Sequence, residues 1–228
     1  MDVKTVEYDF TRRGAADMLG RAEHFYELMS RRRSIREFAP DPVPAELVEM
    51  AIRTAATAPS GANRQPWTFV MVGEPAIKAR IRRAVEDEER ENYDGGRLPN
   101  SWREAIRPLA TTASKPYLEI VPWIVVLFEQ RYSITPGGDT KKNYYVKESV
   151  GIAAGVFVTA LHNMGLATLT HTPSPMAFLS RVFDRPENER PFALFPVGYP
   201  AAECRVPDIE RKPLEDVLVR FPGGPAGG

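Results

Sequence analysis

The stretch NYYVKESVGIAAGVFVTALHNMG, residues 143–165, limits the possible folds more than any other part of the chain. Its apolar residues predict a helix over about 143–164, and Gly165 suits the left-handed cap that ends one. Gly151, Ala153, Ala154 and Gly155 are small enough to allow close packing of another backbone against that helix. A helix this apolar must be covered by other elements or by a partner surface. The rest of the chain supplies candidates for that cover. Helices are predicted over about 17–31, where Leu19, Ala22, Phe25, Tyr26 and Met29 recur at helical spacing, and over AELVEMAIRTAATA, which Pro59 stops. Another follows in PAIKARIRRAVEDEERENY, with Pro75 in its first turn. WTFVMVG, PWIVVLFEQ, LATLT and PFALFPVGYP read as strands, and PMAFLSRVF as a short helix. Helices and strands alternate at irregular spacing, which predicts an α+β fold with one sheet, expected as mixed, flanked by helices.

No internal repeat and no linker divides the chain, so residues 1–228 are expected to form a single domain, long enough to bury about 70% of its unfolded surface. Thirty basic and thirty acidic residues balance, which removes the bulk electrostatic case for nucleic acid or an anionic membrane as partner. The single Cys204 cannot form an internal disulfide. No apolar run reaches the length of a membrane span or a signal peptide, so a soluble, cytoplasmic protein is expected. Twenty-one prolines favour extended connections, among them an arm over about 200–221, and residues 222–228 of the terminal FPGGPAGG are expected to be disordered.

Several chemistries lack their signatures. There is no G-x-G-x-x-G after a strand, no phosphate-binding G-x-x-x-x-G-K-[ST] and no G-x-S-x-G elbow. With three scattered histidines and one cysteine, no metal site is expected. What is present is polar and local. In RRRSIR, residues 31–36, the guanidinium groups of Arg32, Arg33 and Arg36 and the Ser34 hydroxyl match phosphate oxygens, although a basic cluster also suits any helix C-terminus. APSGANRQPW, residues 58–67, places Pro59, Ser60, Gly61 and Ala62 in a turn between helix and strand, with little side chain over its amides. THTP brings Thr170, His171 and Thr172 to a strand end, and Arg211 lies in the proline-rich ERKPL.

In order and spacing, RRRSIREF, TAPSGANRQPWTFV, THTP, VGYP and PDIERKPLEDV resemble the nitroreductase-fold superfamily of FMN enzymes, and within it the iodotyrosine deiodinase family, over about residues 27–219. The resemblance implies FMN as cofactor. Arg32, Arg33, Ser34, Arg36 and the later Arg211 would contact its phosphate and ribityl chain, with Pro59, Ser60 and Gly61 lining the flavin. Thr170, His171 and Thr172 would lie near its ring, with the Thr172 hydroxyl at N5. A hydroxyl both donates and accepts, so it suits N5 in more than one redox state and favours one-electron steps.

The acidic run VEDEERENYD then acquires a second reading besides that of a solvated face. Glu89 and Tyr93 are four residues apart and share a helix face, and Lys115 follows in ASKPYL. A free amino acid needs a carboxylate for its ammonium, and a cation with a hydroxyl for its carboxylate. Those are the groups Glu89, Lys115 and Tyr93 carry. In the deiodinase family the matching residues grip the zwitterion of a halotyrosine and close a lid, here about residues 88–116. The implied reaction is reductive dehalogenation of a 3-halotyrosine, with the Ala62 N–H donating to the phenolate oxygen.

The resemblance further implies a homodimer with sites at the interface and an external electron donor, either a flavoprotein reductase or a ferredoxin. Vertebrate members carry an N-terminal membrane anchor that this sequence lacks, so a soluble, microbial form is expected. The lid segment differs in length before Lys115. Three other readings use overlapping residues: a broad nitroaromatic or quinone reductase, a flavin-cleaving enzyme, and a non-catalytic flavin or amino-acid binder.

Overall fold

The computed structural model describes residues 3–109 and 111–221; the tail expected to be disordered, 222–228, lies outside them. Helix α1 (Ala15–Ser30) and α2 (Ala45–Ala55) precede strand β1 (Trp67–Val72). Then come α3 (Pro75–Tyr93), α4 (Asn100–Ile106), the four-residue α5 (Tyr117–Ile120) and β2 (Trp123–Gln130). A small hairpin, β3 (Tyr132–Ile134) and β4 (Thr140–Lys142), leads into α6 (Val146–Asn163), β5 (Ala167–Thr168), α7 (Ala177–Val182) and β6 (Glu189–Gly198).

The main sheet has the order β1-β2-β6-β5. Its three pairings are all antiparallel, which corrects the mixed sheet expected from sequence. The cause is in the connections. A single helical crossover returns a chain parallel to the strand it left. Between β1 and β2, however, α3 carries the chain out and residues 94–122 carry it back. Strand β2 therefore starts where β1 ends, with Ile124 opposite Val72.

Strand β2 is buried along most of its length, and its side chains alternate between two cores. Ile124, Val126 and Phe128 pack with Ile81 and Val85 of α3, Leu118 of α5 and Leu179 of α7. Val125 and Leu127 face the other way, toward Val48 and Ala51 of α2 and Phe157 and Leu161 of α6. Burial on both faces explains why IVVLF reads as an unbroken apolar run rather than an alternating one. Helix α6 thus spends its large residues on the sheet. Its C-terminus closes as predicted: Gly165 has φ +80°, and the Leu166 N–H donates to the Leu161 carbonyl at 2.9 Å.

Helix α1 behaves differently. None of its residues is buried, and Leu19, Phe25 and Tyr26 of its apolar stripe are exposed. A lone helix of this length is marginal in water. Its anchor within the chain is at its end, where His162 Nε2 lies 2.8 Å from the Leu28 carbonyl oxygen. No described helix is long and apolar enough to cross a membrane.

Candidate active site

Helix α3 begins at Pro75, with the Glu74 side chain accepting from the Ala76 N–H at 3.2 Å. Its buried positions are Lys78, Ile81, Val85, Glu89 and Asn92. After Lys78, whose ammonium donates to the Glu119 and Val121 carbonyls, the stripe is apolar at Ile81 and Val85 and turns polar in the last two turns, delivering Glu89 to the interior while Asp87 and Glu91 face solvent. There Glu89 lines a cavity of about 210 Å³ with Tyr93, Lys115, Thr170, His171 and Thr172. Sequence reasoning placed all six at a ligand site, and one cavity holds them.

Lys115 is buried. Its Nζ donates to Thr111 Oγ1 at 3.1 Å and to the Thr112 carbonyl, and stands over the Tyr93 ring, 5.4 Å from its centroid. Its backbone N–H donates to Glu86 Oε1 at 2.7 Å. No ion pair to the Lys115 ammonium forms among the described residues. Burial lowers its pKa, while the Glu89 charge pulls the other way. A buried ammonium with hydrogen bonds but no paired anion is ready to receive one. Burial likewise raises the Tyr93 pKa, so its hydroxyl remains a donor at neutral pH.

Glu89 has a partner that sequence reasoning did not assign. Its Oε1 lies 3.0 Å from His171 Nε2, and His171 Nδ1 lies 3.4 Å from the Tyr117 hydroxyl. The backbone explains the geometry. His171 bridges to Leu194 of β6, its N–H donating to the Leu194 carbonyl at 2.8 Å, and side chains alternate along such an extended segment. His171 is therefore buried while Thr170 and Thr172 are exposed. The imidazole turns toward α3. Tyr117, two residues past Lys115, was the available signal for this contact.

A second cavity of about 200 Å³ is lined by Arg32, Arg33, Ser34, Arg36 and Arg211. The C-terminal arm reaches it by donating hydrogen bonds: Arg211 Nη1 to the Ser30 carbonyl at 2.9 Å and Nη2 to the Arg32 carbonyl at 2.7 Å. Arg33 in turn donates to the Pro207 carbonyl. Burial, then the charges of Arg211 and Arg33, lower the Arg32 pKa. Like charges gathered around a hollow favour an anion there, and planar guanidinium groups with a hydroxyl suit phosphate. Arg36 lines both cavities.

The loop of Pro59, Ser60, Gly61 and Ala62 is not brought to either cavity by its own chain; none of the four is among their lining residues. It packs instead on the start of α6. The Gly61 N–H donates to Ser149 Oγ at 3.2 Å, and a Cβ on Gly61 would sit 2.6 Å from the Tyr144 carbonyl oxygen. Ala62, Asn63 and Gln65 hold positive φ of 49°, 52° and 46°. Non-glycine residues in that region cost roughly 1–3 kcal/mol each and gather at ligand clamps.

A model described as the nitroreductase family matches residues 29–199, a span reaching from the end of α1 past β6. The chain belongs to the nitroreductase family. It is 52% identical over 205 residues to an iodotyrosine deiodinase of Haliscomenobacter hydrossis, covering 90% of this chain and 92% of that relative. An iodotyrosine deiodinase of Danio rerio is 44% identical over 217 residues, with 94% and 72% covered. Among solved structures the chain is similar to oxidised iodotyrosine deiodinase bound to FMN and 3-iodo-L-tyrosine. The TM-score is 0.75 at 28% identity, over 86% of this chain and 98% of that one. The nitroreductase fold of this family is the α+β fold described above, as the motifs implied.

Proposed function

We propose that this protein is an FMN-dependent reductive dehalogenase that converts 3-halotyrosines to tyrosine and halide. The observation that carries the reading is a pair of cavities that share Arg36 as a lining residue: one lined by arginines, the other holding Glu89, Tyr93 and Lys115 together. The curated relatives named iodotyrosine deiodinase and the solved complex with FMN and 3-iodo-L-tyrosine support it.

Arg32, Arg33, Ser34, Arg36 and Arg211 fit the phosphate and ribityl chain of FMN, which supplies the electrons when bound. Thr170 and Thr172 line the cavity of the amino-acid groups beside Arg36, and the Thr172 hydroxyl is assigned to N5. Glu89 accepts from the substrate ammonium. Lys115 and Tyr93 hold the carboxylate, giving the buried ammonium its missing counter-charge. A reductase of quinones or nitroaromatics has no use for this set.

The segment 88–116, with Gly95, Gly96 and Pro99, forms a lid that excludes water once the zwitterion is gripped. The Ala62 N–H donates to the phenolate oxygen. Its loop and the cavities occupy different places in one chain, so the site is completed by a second copy in a homodimer, with Pro59, Ser60 and Gly61 reaching the flavin from across the interface. An external flavoprotein reductase or ferredoxin supplies electrons. A cytoplasmic setting fits a chain whose only cysteine is Cys204.

Flavin-loaded protein, reduced by dithionite without oxygen and given 3-iodotyrosine, is expected to release iodide and tyrosine. Glu89→Gln should keep FMN and lose roughly 2–5 kcal/mol of halotyrosine affinity. No halide release, with rapid flavin oxidation by a nitroaromatic, would instead make this a general reductase.

A further inference from the structure

The clamp of Glu89, Tyr93 and Lys115 leaves one buried group unused. His171 Nε2 is 3.0 Å from Glu89 Oε1, the Tyr117 hydroxyl is 3.4 Å from His171 Nδ1, and all three residues are buried. The hydrogens follow from the chemistry. A carboxylate only accepts, so Nε2 carries the hydrogen, and Nδ1 of the neutral ring is left to accept from Tyr117 O–H. Burial keeps both partners in these states, raising the tyrosine pKa and lowering that of the histidine, the latter against the pull of Glu89.

We propose that His171 is a positioning residue for the amino-acid site. Braced by Tyr117, it donates to one oxygen of Glu89 and so orients the carboxylate, leaving the other oxygen to take the ligand's ammonium. The inference rests on the function proposed above and deepens it. It explains why a histidine stands between two threonines whose side chains face away from it.

Orientation by a neutral donor has a consequence for pH. The charged or titratable groups around the ring are Glu89, Tyr117, Lys115 and Arg36. Of these only Glu89 is an anion at neutral pH. Once His171 takes a proton, the imidazolium pairs with Glu89 and competes with the ligand's ammonium, so affinity falls as the solution is acidified.

The experiment is a titration of flavin-loaded protein with 3-iodotyrosine, read by flavin fluorescence at neutral and acidic pH. His171→Leu should lose about tenfold or more in affinity, the worth of a hydrogen bond to a charged group. His171→Gln can donate to Glu89 but cannot titrate. It should bind within a few-fold of the unmodified protein at neutral pH and show a flatter acid dependence. Tyr117→Phe, which frees the ring while sparing its bond to Glu89, should fall between them and serves if the leucine variant does not fold. Unchanged affinity in His171→Leu or Tyr117→Phe, an equal loss in His171→Leu and His171→Gln, or an undiminished acid slope in His171→Gln would overturn the proposal. Failure of the unmodified protein to bind 3-iodotyrosine would sink the functional reading itself, and this inference with it.

Discussion

A buried imidazole held neutral makes the stability of this protein depend on pH. Burial lowers the His171 pKa despite Glu89, so the unfolded chain takes up a proton near the ordinary imidazole value of about 6.5 before the folded chain does. Where the unfolded state binds more protons, stability rises with pH. Acidification should therefore begin to cost stability near that value, and this contribution should level off once the folded-state pKa is passed. Thermal unfolding across that range should show the slope, and His171→Gln should flatten it; parallel curves would mean that other groups set the acid response. Glu89 is the residue at which the sequence was most legible. Its four-residue spacing to Tyr93 and the family resemblance picked it out, whereas the buried spacing Lys78, Ile81, Val85 passes over Asp87 and Glu91 but does not by itself separate Glu88 from Glu89. The contact to His171 was not legible, because two segments 82 residues apart meet only through the sheet.

Elements were readable where local chemistry and core periodicity agreed. Helix α3 runs Pro75–Tyr93, the bounds expected from sequence, because a proline starts it and a buried stripe sustains it. Helix α4, the short α5 and the β3-β4 hairpin were missed. They are brief, and β4 is exposed along its length, so no apolar period marks them. The strand expected in LATLT survives only as Ala167–Thr168, since the chain leaves β6 after two paired residues and returns at His171. Two substitutions test the accounts of α3 and α6. Ile81→Ala, at a fully buried site on the face of α3 that packs against the sheet, should cost about 2–5 kcal/mol in denaturant unfolding. Gly165→Ala forces an alanine into φ +80° and should cost on the order of 1 kcal/mol. A much smaller loss at Gly165 would mean that the turn after α6 relaxes freely, and that the left-handed cap is not what ends the helix.

At the scale of the molecule, the surface is larger than that of a compact monomer of the same mass. The accessible area is 15,320 Å², against roughly 10,000 Å² for a folded monomer of this mass. The excess sits where the chain is laid out rather than packed. Residues 3–14 and 208–221 are exposed throughout, and Leu19, Phe25, Tyr26, Val217, Val219 and Phe221 present large apolar groups to solvent. Of the four small residues noted from sequence in α6, Ala153 and Ala154 turn into the core, while Gly151 and Gly155 form a small exposed face with open space above both. The homodimer proposed above, with arms and helices covering one another, would account for these surfaces and would bring the Pro59–Ala62 loop to a second chain's cavities. Sedimentation should give twice the 25.5 kDa of one chain. Gly155→Leu separates the interface from the fold. Within its own chain the leucine meets nothing within 4 Å of its Cβ, and helix propensity improves, yet it would stand where a partner backbone must approach. The variant should fold, sediment as a monomer and lose FMN, because each site then lacks the loop from across the interface. A stable dimer with full flavin content would place the interface elsewhere and leave the small face of α6 unexplained, whereas a folded monomer that still binds FMN would show one chain to be sufficient for the cofactor.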